Sequence, residues 1–201
     1  MKKNIWDIFA PFYTTFMKFD RTIYRFMENR IPKVIHNKEV LEIACGPGVL
    51  SKKVSTVTKK MIASDYSEGM LKEARKGNYP SQLTFEKVDA MNLPYEDHSF
   101  DVVMINNALH LVPNSIKVLS EINRVLKNNG VLIAGNYVEH NQGFLHILWT
   151  KQLEKAGVTF QSKWPKEEYL QFLEDNGWKV LNQKEFHGSL EFIYTECLKK
   201  E

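Results

Sequence analysis

Two glycines lie two positions apart directly after a short apolar run, in Val40-Leu41-Glu42-Ile43-Ala44-Cys45-Gly46-Pro47-Gly48. Bare main chain lets a ligand come close. At the carboxyl end of a buried strand, such a turn lies where open α/β sheets bind nucleotides, beside the positive end of the next helix. Alone the pattern is weak. It gains weight from Asp65, nineteen positions after Gly46 (65 minus 46), near the spacing of about 20 residues expected of an acid that accepts both ribose hydroxyls. The competing reading, a solvated aspartate capping the following helix, suits an isolated Asp and yields when the two features are paired.

A turn of this kind needs a strand before it and a helix after it. Residues 40–44 read as the strand, and the helix runs through Val57. The alternation continues with a strand over 60–64, a helix over 67–76 with Ser67 as N-cap, and strands over 83–88 and 100–106. Pro113 opens a helix whose Ile116, Leu119, Ile122 and Leu126 share one side, and Asn129-Gly130 stops it before a strand over 131–135. Five short apolar strands fit one parallel sheet with helices on both faces, a doubly wound α/β sandwich.

The last third departs from that alternation. Helices are expected over 141–156 and 165–176, then strands over 178–186 and 189–198 around His187-Gly188. So short a connection permits only antiparallel pairing, which predicts a mixed seven-stranded sheet with a reversed C-terminal strand at its edge. Upstream, Ile5, Ile8, Phe9, Phe12, Phe16, Phe19, Ile23 and Phe26 recur at helical spacing, with Pro11 expected to divide the run in two.

The 201 residues suit one domain, in which 1–36 form a helical cover and 37–201 the body. A net charge of +3 from dispersed Lys and Arg argues against nucleic acid. Two cysteines, Cys45 and Cys197, make no disulfide framework and fit a reducing cytoplasm. No apolar run reaches the roughly 20 residues that span a bilayer, and residues 1–6 lack a signal-peptide core, so neither export nor a membrane span is expected. His36, His98, His110, His140, His146 and His187 form no metal-ligand pattern. Cys45, near a helix start, reads as a small buried filler rather than a nucleophile.

The segments VLEIACGPG, ASDYSEGML, DAMNLPYEDHSFDVV and EINRVLKNNGVLI, in that order, resemble the class I S-adenosylmethionine-dependent methyltransferases, and most of all the branch with the quinone-biosynthesis enzymes. The resemblance covers about residues 40–137. It implies a Rossmann-like fold with S-adenosylmethionine as cofactor, Glu42, Gly46 and Gly48 around its methionine part, Asp65 at the ribose, and Asp89 with Ala90 at the adenine. Tyr66 and Met70 would wall the adenine, and Asn106 would lie under the methionine moiety. Ala44 stands where the family usually has its first glycine. The family's typical ending also accounts for the final strand pair.

Methyl transfer from a sulfonium is a direct displacement, so the acceptor supplies the nucleophile, and alignment of the reactants can contribute roughly 7 to 11 kcal/mol. His110, four residues past Asn106, is the candidate general base, against the plainer reading of a histidine satisfying a loop carbonyl. Trp6, Phe9, Phe12, Tyr13, Phe16 and Phe19 make the N-terminal segment a candidate lid, with Tyr13 expected to reach the cofactor and core packing as the alternative. Phe144, His146, Trp149 and Trp164 could line the acceptor pocket. The acceptor is expected to be small or lipid-like. Peripheral membrane contact is disfavoured, because Lys18 is the one basic residue between Trp6 and Asp20.

A nicotinamide enzyme would prefer glycine where Ser51 stands, and a P-loop would need Gly-Lys-Ser/Thr. Asn106-Asn107-Ala108-Leu109 lacks the Pro-Pro-aromatic element of enzymes that methylate nucleic-acid amines. A non-catalytic S-adenosylmethionine sensor is the alternative from another class.

Overall fold

The computed structural model describes residues 5–16, 20–139, 154–155, 157–187 and 191–200. Its framework is one seven-stranded sheet in the order β3-β2-β1-β4-β5-β7-β6. The strands are β1 (Glu39–Ile43), β2 (Lys60–Asp65), β3 (Leu83–Lys87), β4 (Phe100–Asn106), β5 (Leu126–Val138), β6 (Trp178–Phe186) and β7 (Glu191–Lys199). The first five are parallel, and β7 is antiparallel to both neighbours. The C-terminal strand is therefore reversed as expected, but it lies inside the sheet, with β6 taking the edge. Burial explains the order. Phe192, Ile193, Tyr194, Thr195, Glu196 and Cys197 of β7 are all buried, whereas β6 is exposed along much of its length.

Helices α1 (Ile5–Phe16), α2 (Arg21–Ile35), α3 (Val49–Val54), α4 (Glu68–Ala74), α5 (Ser115–Val125) and α6 (Lys166–Asp175) surround the sheet. Alternation along β1 sorts its side chains. Leu41 and Ile43 join the core shared with α5 and α6, while Val40 faces the core built on Met27, Ile31 and Leu50 of α2 and α3. Glu42 falls on the second side. Strand order turns around between β1 and β4, and open α/β sheets hold their ligands in the crevice at that switch point.

Two expectations about element ends need correction. Pro11 does not divide the first helix, which runs through it. Proline removes the bond to the carbonyl four residues earlier, here Asp7, and that carbonyl lies hard against Gly69, where an added Cβ would come within 2.9 Å of it. Nor does Asn129-Gly130 end a helix: α5 stops at Val125, and β5 starts at Leu126. The register slips there, Phe100 facing Leu126 but Val102 facing Val131, so the pair sits in an irregular start of the strand. The α5 cap is Asn114, whose Oδ1 accepts from Lys117 N, rather than Pro113. Most of the helix expected over 141–156 lies outside the described residues.

Candidate active site

The glycine turn folds back tightly at the switch point. Ala44, Gly46 and Gly48 have φ of +55°, +56° and +69°, three left-handed residues within five. Their roles differ. A Cβ on Gly46 would meet one atom within 4 Å, the Cε1 of Tyr13 at 3.7 Å, so this main chain is open to the cavity. A Cβ on Gly48 would stand 2.7 Å from the Phe85 ring, so its bareness serves packing on β3. Ala44 bears its methyl group in a conformation that costs an L-residue about 1 kcal/mol.

Asp65 ties the turn to the end of β2. Its Oδ2 accepts from Gly46 N and its Oδ1 from Ser67 N, both at 2.8 Å. The structure thus joins the two readings of this residue: it braces the start of α4, but it is no solvated acid. Burial raises its pKa, opposed by the amides of Ser67 and Gly46 and reinforced by Asp7. The Tyr66 amide adds a third donor, and a carboxylate with about four acceptor positions still has room for one more.

Glu42 is buried beneath the same turn, its Oε2 accepting the hydroxyl of Ser51. Burial pushes its pKa up to about 7, opposed by the Ser51 hydroxyl and reinforced by Asp65. The residue that argued against a dinucleotide fingerprint therefore has a positive role here, as the donor that holds this acid.

These residues surround a cleft partly open to solvent and lined by Tyr13, Tyr24, Glu42, Ala44, Gly46 and Asn106, with Cys45, Met27, Leu50 and Asn107 among the rest of the wall. Both polar side-chain atoms of Asn106 and the Oδ1 of Asn107 are buried there without a partner. Orphaned amide groups of this kind cost free energy unless a ligand satisfies them. Beside a carboxyl group they suit an ammonium and a carboxylate, so the cleft fits the amino-acid end of S-adenosylmethionine. Asn107, at φ +54°, and Tyr24 were not singled out from sequence. The doubled Asn after an apolar strand was the available signal. Burial pushes the Cys45 thiol well up, as befits a filler.

The residues expected at the adenine lie along the same sheet edge, outside the cleft lining. Tyr66 is 61% exposed, Met70 is a buried residue of α4, and Asp89 Oδ1 accepts from Met91 N, shaping the loop that carries Ala90. That loop is clamped from behind by Arg124, which donates to the carbonyls of Leu93 and Tyr95 and to Asp97 and Glu121. Sequence reading missed this clamp, although Arg124 lies inside the quoted EINRVLKNNG segment.

The first helix covers the turn. Asp7 Oδ1 accepts from Ser67 Oγ at 2.6 Å and Gly69 N at 2.8 Å, and Tyr13 packs between Trp6 and the cleft. Burial, with Asp65 and Asp20 nearby, pushes the Tyr13 hydroxyl up to about 12. Asp7 went unnoticed in the sequence because the helix was read for its apolar side. Side chains of Phe12 and Phe16, together with Phe19, Phe144, His146 and Trp149, lie outside what is described. Trp164 stacks on Phe172 at 4.6 Å in the core, away from the cleft.

His110 is buried, and its Nδ1 meets Asn136 Oδ1 at 2.7 Å rather than a loop carbonyl. That bond sets Nδ1 as the protonated nitrogen and leaves Nε2 as an acceptor. Phe160 stacks on the ring, and burial pushes its pKa down to about 4, so the imidazole is neutral near pH 7. It does not line the cleft itself.

Comparison with known proteins agrees with this geometry. A methyltransferase domain family matches residues 41–134. A demethylmenaquinone methyltransferase of Renibacterium salmoninarum is 27% identical over 174 residues, covering 78% of this chain and 73% of its own. Among solved structures, an S-adenosylmethionine-dependent methyltransferase of Thermotoga maritima superposes with a TM-score of 0.75 at 23% identity, over 98% of this chain and 99% of the other. A DhpI complex with SAH gives 0.73 at 19%, over 97% and 93%. With the glycine turn, the acid at the end of β2, the switch-point cleft and the reversed final strand all in place, residues 41–134 are a methyltransferase domain and the chain has the fold of the class I S-adenosylmethionine-dependent methyltransferases.

Proposed function

We propose that the methyl acceptor is an uncharged, hydroxylated aromatic ring of the quinol type, carried on a small or lipid-like molecule. The observation behind this is the cleft wall. Tyr13, Tyr24, Met27 and Leu50 supply an apolar and aromatic surface, and no Lys or Arg lines it among the described residues. An anionic acceptor would find no counter-charge and would meet Glu42 instead. The demethylmenaquinone methyltransferases to which the chain is similar carry a quinone-type substrate in their name.

Bound S-adenosylmethionine supplies an electrophilic methyl group. The chain's own residues then bind and orient. In this reading Glu42, Ala44, Gly46 and Asn106 hold the amino-acid end, with Gly48 shaping the turn, and Asp65 takes the ribose. Asp89, Ala90, Tyr66 and Met70 surround the base. Residues 1–36 act as the cover of the same domain, and Tyr13 closes over the cleft to exclude water. His110 contributes shape and one neutral acceptor nitrogen, because a ring whose pKa is held near 4 resists taking up a proton. His110→Ala is expected to lower turnover a few-fold and not abolish it.

The test is methyl transfer from S-adenosylmethionine to a reduced 1,4-naphthoquinone bearing a short prenyl tail, with product detected by mass. A methylated ring is expected. Absence of product, with transfer to a charged amine or carboxylate instead, overturns the acceptor assignment.

A further inference from the structure

Asp20 stands at the N-cap of α2, yet its carboxylate caps nothing. Its Oδ2 instead accepts the hydroxyl of Tyr137, 117 residues away on β5. An aspartate that gives up a capping bond forgoes about 1 kcal/mol of helix stability, so its placement answers to something other than the helix. The residue is half-buried, and among the described residues it has no Lys or Arg partner and nothing bonded to Oδ1. Tyr13 and Tyr24, which line the cleft, both feel its charge. Tyr137 packs edge-on against Phe192 and His110. One free carboxylate oxygen thus stands behind two rings of the cleft wall, Tyr13 and Tyr24, and a partly desolvated acid without a counter-ion so placed is a functional-site signature.

We propose that Asp20, steadied by Tyr137, accepts the proton of a hydroxyl on the aromatic acceptor during methyl transfer. This rests on the reading of the acceptor as a hydroxylated ring. The O–H bond breaks toward Asp20 Oδ1, and its electron pair drives the ring carbon onto the methyl group. The new C–C bond forms as the S–C bond breaks, the departing pair remaining on sulfur. The hydrogen on that ring carbon then leaves to solvent as aromaticity returns, and Asp20 hands its proton back to the oxygen. One proton is released overall.

Charge decides between Asp20 and His110. In this step the positive charge at sulfur and the negative charge at Asp20 vanish together, which a desolvated cleft favours. A proton on His110 would instead create a buried cation, which its surroundings already oppose. The other groups facing Asp20 stay silent near neutrality, since Tyr13, Tyr24 and Tyr137 are all raised above the ordinary phenol value.

The experiment compares wild type, Asp20→Asn, Asp20→Glu and Tyr137→Phe on the short-tailed naphthoquinol, catechol and 1-naphthol. Asp20→Asn is expected to lose about 100- to 1,000-fold in kcat, as removal of a general base commonly does, while its affinity for S-adenosylmethionine stays within twofold. Asp20→Glu should recover part of the loss. Tyr137→Phe should move the acid limb of the pH profile up by about one unit, because the lost hydroxyl favoured the carboxylate form. A readout free of turnover uses the protein loaded with demethylated cofactor. Wild type should bind 1-naphthol about tenfold more tightly than its methyl ether, as a charge-assisted hydrogen bond implies, and Asp20→Asn should erase that preference. Full kcat in Asp20→Asn with the preference intact overturns the proposal and leaves the quinol reading standing. Failure on the naphthoquinol with Asp20-dependent transfer to another hydroxylated ring sinks the quinol reading alone. If wild type methylates none of the three and does not distinguish naphthol from ether, both fall.

Discussion

Glu42 couples the chemistry of the site to pH through one buried side chain. Its folded pKa, about 7, stands above the ordinary 4.5 because burial disfavours its charge. A cationic cofactor needs the ionised form, so affinity for S-adenosylmethionine should rise about tenfold between pH 6 and pH 8, and Glu42→Gln should flatten that dependence in a calorimetric titration. The stability of the unliganded protein runs the other way. Because the folded state holds this proton more tightly than the unfolded chain, stability is lost as pH rises from about 4.5 to 7, on the order of 3 kcal/mol for this group. Glu42→Gln should therefore stabilise the unliganded protein more at pH 8 than at pH 5, as read by denaturant melts. An equal effect at both pH values would contradict the raised pKa. Ala44→Gly, which relieves a left-handed alanine, should be neutral or stabilising by up to about 1 kcal/mol, and a loss larger than that would mean the methyl group packs usefully.

The cover helix α1 is fastened by a polar contact where Asp7 meets the first turn of α4. The contact depends on Gly69, since a Cβ there would stand 2.6 Å from Asp7 Cα. Gly69→Ala should push α1 away from the cleft without touching a cofactor-facing atom. Release of S-adenosylmethionine is expected to quicken about tenfold in stopped-flow measurements, with a loss of roughly 1 to 3 kcal/mol in stability, as overpacking generally costs. Asp7→Ala, which leaves two donors without their acceptor, should give the same kinetic change. Unaltered release in both variants would remove the cover from the binding cycle. Pro11 belongs to this same contact, which is why its effect on the helix could not be read from the helix alone.

Across the whole molecule, a ligand that binds the folded state alone stabilises it by mass action. S-adenosylmethionine at about 100 times its Kd should add about 2.7 kcal/mol, or roughly 5 to 10 °C in melting temperature for a domain of this size. NAD at the same concentration should add nothing, and a larger shift with NAD would overturn the family's cofactor here.

What the sequence determined by itself was local or repeated. Periods of two and 3.6 place the strands and helices, the Gly46 to Asp65 spacing pairs the glycine turn with the end of β2, and the short connection around His187-Gly188 forces the last strand to reverse. Only the folded chain decided which long-range pairs meet. Ser51 finds Glu42, Asp7 finds Gly69, His110 finds Asn136, and Asp20 finds Tyr137. The same holds for β7 lying inside β6, a choice made by burial of its side chains against the rest of the sheet. Such pairings depend on how layers pack in three dimensions, and short-range residue patterns carry almost no record of that.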